Sequence, residues 1–163
     1  MASGKSTIGS LLAERLNYAL YDTDELISHW KQGSIEQVFK ESGEKVFRTY
    51  ETKMIRMLSE LGKVVVSTGG GLPVHNDNIS LLKNTGQVIY LHADSETLAH
   101  RILEDKQQRP LHSAQNNITE LEREVAVRLK KREHIYSQAH ITIDTATDLG
   151  TILDQILGQL YLS

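Results

Sequence analysis

Gly4-Lys5-Ser6-Thr7 stands directly ahead of a stretch of helical apolar spacing. The triplet Gly4-Lys5-Ser6 matches the end of a phosphate-binding loop. Small residues let backbone N–H groups converge on an anion, and the helix behind them adds its positive end. Lys5 can reach the outer phosphates of a nucleotide, and the Ser6 hydroxyl can ligate Mg2+. A flexible polar tail would read the same way. Asp22 and Asp24 flank Thr23. In extended chain both carboxylates would face one side. One can hold Mg2+ while the other orients a hydroxyl or takes its proton. Either acid could instead cap a helix beginning near Glu25.

Arg48 precedes Glu51 by three residues in an amphipathic stretch, so an ion pair is within reach. The pair is either a surface contact worth little or an anchored guanidinium that grips a carboxylate through two bonds. Arg132 lies in Lys130-Lys131-Arg132-Glu133, where position does not separate it from Arg128 or Lys131. Arg109 occupies the polar connection 105–111. Such a loop can close an arginine over phosphates and exclude water, or it can be an ordinary solvated loop. Gly69-Gly70-Gly71 follows Ser67-Thr68. Three glycines exceed what a simple turn needs, and they permit close backbone approach and unusual dihedrals. Their spacing is not the dinucleotide-binding pattern.

Short apolar runs with longer helical patterns between them must position these residues. Strands are expected at 18–21, 64–67, 88–91 and 140–144. Helices are expected at 7–16, 44–61, 117–137 and 149–160, with Asp94 and Ser95 as possible caps of another. That alternation predicts a parallel sheet covered by helices, with ligands at the carboxyl ends of the strands. The chain has 163 residues, enough for one domain with a sizeable core. Its net charge of -3 gives no reason to expect nucleic acid as a partner. The absence of cysteine excludes disulfides and thiolate chemistry. No apolar run is long enough to suggest a membrane span. The seven histidines are scattered, with no ligand spacing.

Together these segments resemble the shikimate kinase family. The resemblance rests on Gly4-Lys5-Ser6-Thr7, Asp22-Thr23-Asp24, Gly43-Glu44 with Phe47-Arg48 and Glu51, Gly69-Gly70-Gly71, Arg109-Pro110-Leu111, and Arg132 followed by Tyr136. Ala2 stands where the family usually has glycine. The resemblance implies a three-layer, nucleoside monophosphate kinase-like α/β domain over 1–163, with a five-stranded parallel sheet. Its substrate-binding region would cover 24–61 and its lid 106–117. The family's first, central strand and the first glycine of its phosphate loop have no counterpart before Gly4, so sheet and cradle are expected to be incomplete here.

The implied reaction moves the γ-phosphate of ATP to the 3-hydroxyl of shikimate, a step toward chorismate and the aromatic amino acids. Gly4, Lys5, Ser6 and Thr7 would hold ATP, and Lys5 would contact its β- and γ-phosphates. Ser6 and Asp22 would hold Mg2+. Asp24 would orient the shikimate hydroxyls and serve as base. Arg48 and Arg132 would bind the shikimate carboxylate, with Glu51 holding Arg48. Gly69, Gly70 and Gly71 would line the pocket, and Arg109 would close onto the transferring phosphate. The resemblance also implies a cytoplasmic monomer. The competing readings are a gluconate kinase-like enzyme, which does not account for both arginines and the paired aspartates, and a nucleotide-binding module without catalysis.

Overall fold

The computed structural model describes residues 2–107 and 118–162. Its contacts divide the chain into two compact units, one spanning Lys5–Val88 and the other Met1–Gly4 with Ile89–Ser163.

In the first unit, α1 (Lys5–Leu16) ends where Asn17 takes a left-handed φ of 53°. The turn is closed by the Tyr18 N–H donating to the Ala13 carbonyl at 2.9 Å. β1 (Ala19–Asp22) follows and runs directly into α2 (Thr23–Lys31). Ser34 then opens α3 (Ile35–Ser59) with a capping box: its Oγ accepts the Gln37 N–H at 3.2 Å, and its own N–H donates to Gln37 Oε1 at 2.9 Å. Gly43, at φ 77° and ψ 159°, breaks α3 into two segments. β2 (Val64–Ser67) is a β-branched run that pairs in parallel with β1, Ala19 opposite Val64 and Asp22 opposite Ser67. A 3₁₀ turn (Leu72–Val74) and α4 (Asn78–Thr85) complete the unit. Helix α1 packs on both strands, burying Ile8, Leu12 and Ala13. α2 and α3 enclose Ile27, Val38, Phe47 and Met54.

The second unit contains β3 (Ile89–His92), α5 (Ser95–Gln107), α6 (Ile118–Tyr136), β4 (Ile141–Asp144) and α7 (Leu149–Leu162). Asp94 starts α5 by accepting the Thr97 N–H at 2.7 Å. Ala93, Leu98 and Val125 form the core between α5 and α6. β4 alternates, with Ile141 and Ile143 buried and Thr142 and Asp144 exposed. It pairs in parallel with β3, Ile89 opposite Ile141.

The expected five-stranded sheet does not form. The described residues contain four strands, and these make two separate two-stranded parallel sheets, β1–β2 and β3–β4. A sheet widens only where a further strand offers N–H and C=O groups to an edge. No described segment does so for either pair. The four strand positions themselves agree with the sequence to within one residue at either end.

Candidate active site

The carboxyl ends of β1 and β2 lie level, with Asp22 opposite Ser67. Because α2 begins at Thr23, the chain is not extended between the two aspartates. Asp22 is the cap: its Oδ1 accepts the Asp24 N–H at 2.8 Å and the Glu25 N–H at 3.3 Å. Asp24 stands in the first helical turn. Thr23, wholly buried between them, accepts the Gly69 N–H on its Oγ1 at 3.3 Å. That bond joins the end of β1 to the glycine run after β2.

Gly69 and Gly71 are required for space. None of Gly69, Gly70 and Gly71 takes a positive φ, so the expected unusual dihedrals are not the reason for the run. A Cβ at Gly69 would lie 2.9 Å from Asp24 Oδ1, and one at Gly71 would lie 2.8 Å from Arg48 Nη1. A carboxylate and a guanidinium therefore press on glycines two positions apart.

Arg48 comes from the second segment of α3. Its Nη1 donates to Glu51 Oε1 at 3.0 Å and Oε2 at 2.9 Å, and its Nη2 donates to Glu44 Oε1 at 3.1 Å. The Glu51 side chain is 2% exposed, which rules out the surface-pair alternative. Burial pushes the Glu51 carboxyl above its ordinary range, and the bonds to Arg48 oppose the rise. Arg48 Nε is buried and has no hydrogen-bond partner. A buried donor of this kind is costly unless something binds it. Asp24 is also raised, first by burial and then by Asp22, against the lowering charges of Lys5 and Arg48.

A buried network braces this region. Asn78, fully enclosed, donates from Nδ2 to the Leu72 carbonyl at 2.9 Å and accepts the Thr52 hydroxyl on Oδ1 at 2.9 Å. Asn76 Nδ2 donates to the Arg48 carbonyl at 3.2 Å. The segment after the glycines is thus tied to the helix that carries Arg48.

At the phosphate loop, Gly4 has φ 82° and α1 starts at Lys5. Lys5, Ser6 and Thr7 occupy the first turn, where N–H groups lack intrahelical partners. Ala2 takes φ 52°, a conformation that costs a non-glycine residue about 1 kcal/mol. Arg132 lies in the second unit, half-buried in the last turns of α6. Its neighbour Glu133 accepts the Tyr90 hydroxyl at 3.1 Å. Arg109 and residues 108–117 of the expected lid lie outside the described residues.

Among the described residues no group of three His, Asp or Glu side chains could hold a metal. A Mg2+ bound with phosphates does not need one, because it takes one or two protein oxygens and fills its shell with phosphate and water. The hard oxygens of Ser6 and Asp22 fit that requirement. Ser67 Oγ, buried and without a hydrogen-bond partner opposite Asp22, adds a further oxygen at the same strand ends. Sequence reasoning gave no role to Thr23, Ser67, Glu44 or Asn78. The first three stood inside or beside quoted motifs, whereas nothing in the sequence marked Asn78 as buried.

An α/β unit with a lysine-bearing helix start and acids at a neighbouring strand end has the make-up of a small-molecule phosphotransferase. The sequence matches the family described as Shikimate kinase over residues 1–161. It is 37% identical over 161 residues to the shikimate kinase of Persephonella marina, covering 98% of this chain and 94% of that one. The fold is similar to a crystal structure of shikimate kinase from Bacteroides thetaiotaomicron, with TM-score 0.87 and 28% identity, over 99% of this chain and 94% of that one. It is also similar to shikimate kinase from Acinetobacter baumannii in complex with shikimate, with TM-score 0.82 and 35% identity, over 99% and 88%. The chain belongs to the shikimate kinase family.

Proposed function

We propose that this protein transfers the γ-phosphoryl group of ATP to the 3-hydroxyl of shikimate, giving ADP and shikimate 3-phosphate. One observation carries the reading within the family: Asp24 and Arg48 converge on a single glycine run, one raised toward basicity and the other presenting a buried, unpartnered Nε. That pairing suits a substrate carrying both a hydroxyl to be activated and a carboxylate to be held.

In this mechanism Arg48 takes the shikimate carboxylate together with Arg132, and Glu51 keeps Arg48 from swinging away. Asp24 orients the hydroxyls and accepts the proton of the attacking one. Its raised pKa makes it a stronger base than an ordinary carboxylate. Gly70 and Gly71 let the sugar-like ring approach the backbone, and Gly69 makes room for Asp24. Gly4, Lys5, Ser6 and Thr7 hold the ATP phosphates, with Lys5 at the β- and γ-phosphates. Ser6 and Asp22 would hold Mg2+, which when bound neutralises charge on the phosphates. Arg109 closes from the lid onto the transferring group and limits attack by water. The chain acts as one kinase domain with a substrate region at 24–61 and a lid at 106–117, and works as a cytoplasmic monomer. Among the described residues no helix is long and apolar enough to cross a membrane.

The test is ADP release from Mg-ATP with and without shikimate, with the product identified by phosphorus NMR. Shikimate-dependent release with phosphorylation at the 3-hydroxyl is expected. Preference for gluconate would favour the kinase rival. ATP binding with no acceptor-dependent turnover would favour a non-catalytic module.

A further inference from the structure

The proposed reaction gives Glu44 no task, although Gly43-Glu44 belongs to the pattern shared with the family. A guanidinium grips a carboxylate through one edge, using two adjacent nitrogens. Glu51 takes both of its bonds from Nη1. Nε is buried and bare, and its edge partner Nη2 is held by Glu44 at 3.1 Å. The edge that a carboxylate would span is therefore half occupied, and its other half is closed to solvent in this arrangement.

The two glutamates differ in permanence. Glu51 is 2% exposed and held in place, whereas the Glu44 side chain is 58% exposed. The same Glu44 Oε1 also lies 3.9 Å from His75 Nε2, so Arg48 is not its sole neighbour. Asp24 and Glu44 both act to raise the Glu51 pKa, so three carboxylates already surround Arg48, of which Asp24 also feels Lys5. A fourth, brought by the substrate, is opposed until one leaves.

We infer that Glu44 is a displaceable stand-in for the substrate carboxylate, holding Arg48 Nη2 in the empty site and yielding it when the ligand spans Nε and Nη2. This rests on the reading that Arg48 binds the shikimate carboxylate. Glu44 is a positioning residue: it keeps the guanidinium aimed before binding and competes with the ligand afterwards.

The experiment compares Glu44→Ala, Glu44→Gln and wild type by steady-state kinetics and by calorimetric shikimate binding. Glu44→Ala should lower the shikimate KM and Kd by about two- to fivefold, the range of an exposed ion pair. The ATP KM should not move, and Glu44→Gln should fall between. With the carboxamide of shikimate, which carries no charge, the difference between variant and wild type should vanish. An unchanged or raised shikimate Kd in Glu44→Ala would overturn the inference. Arg48→Ala separates the two failures. If it leaves shikimate binding intact, the underlying reading is wrong; if it weakens binding while Glu44→Ala does not tighten it, only the role of Glu44 is wrong.

Discussion

Gly71→Ala tests whether the glycine run is there to make room for Arg48. The new Cβ would sit 2.8 Å from Nη1, 3.2 Å from Nη2 and 3.3 Å from Cζ. An ordinary contact is about 3.5 Å, so about 0.7 Å must be made up. A free arginine would swing aside at little cost. This one is held by two bonds to a glutamate that is 2% exposed. Either those bonds stretch or the backbone after β2 moves, and Asn78 resists the second by tying Leu72 to α3 through Thr52. A displacement near 1 Å in a positioning group costs on the order of 100-fold in rate. The expected loss is therefore about 10- to 100-fold in kcat/KM for shikimate, with ADP binding by calorimetry unchanged. A thermal melt should confirm that the variant is folded. A folded Gly71→Ala enzyme within twofold of wild-type kcat/KM would refute the argument that Arg48 cannot yield.

Gly69→Ala should act on Asp24, 2.9 Å away, and so lower kcat more than it raises the shikimate KM; equal or reversed effects would contradict that division. Asp24→Asn should lower kcat by about 10²- to 10⁴-fold and yet raise the melting temperature at pH 7. The folded carboxyl titrates above its ordinary 3.8, so the folded chain binds the proton more tightly. The carboxyl's favourable contribution is greatest below 3.8 and declines as pH rises through the raised value. A destabilised Asp24→Asn at pH 7 would show that sign to be wrong. Asn78→Ala should cost about 1–2 kcal/mol in urea unfolding, because it takes the amide donor from the Leu72 carbonyl, while the Thr52 hydroxyl keeps the Arg48 carbonyl as acceptor. A cost below about 0.5 kcal/mol would mean that water replaces the amide.

The strands were legible because their apolar runs are short, rich in valine and isoleucine, and bounded by Gly62, Gly69 or Asp94. Their pairing was not, since the resemblance implied one sheet and the four described strands form two separate pairs. The first segment of α3 and all of α4 were missed. The α3 start was carried by the Ser34…Gln37 capping box, a signature that went unread, whereas α4 starts at a left-handed Asp77 (φ 53°) with no side-chain cap to read. In the site, Arg48 with Glu51 was visible as an i, i+3 pair, but its burial depends on α3 packing that periodicity does not report. The two aspartates were visible as a pair. Which of them caps the helix was not, because that turns on α2 starting at Thr23.

The two ladders join distant pieces of chain, residue 19 with 64 and residue 89 with 141. Each must close a long loop before any backbone bond repays the lost entropy. The contacts of α2 with α3 and of α5 with α6 are between sequence neighbours and need no such closure. Helical hairpins should therefore assemble early in refolding and parallel pairing late. The Arg48–Glu51 pair, local to one helix, forms with the first event. The approach of Asp24 to Gly69 waits for the second, since it needs β1 and β2 in register. Catalytic competence should return only after most of the helical signal has recovered, and a refolding intermediate would carry the proposed carboxylate anchor without the proposed base.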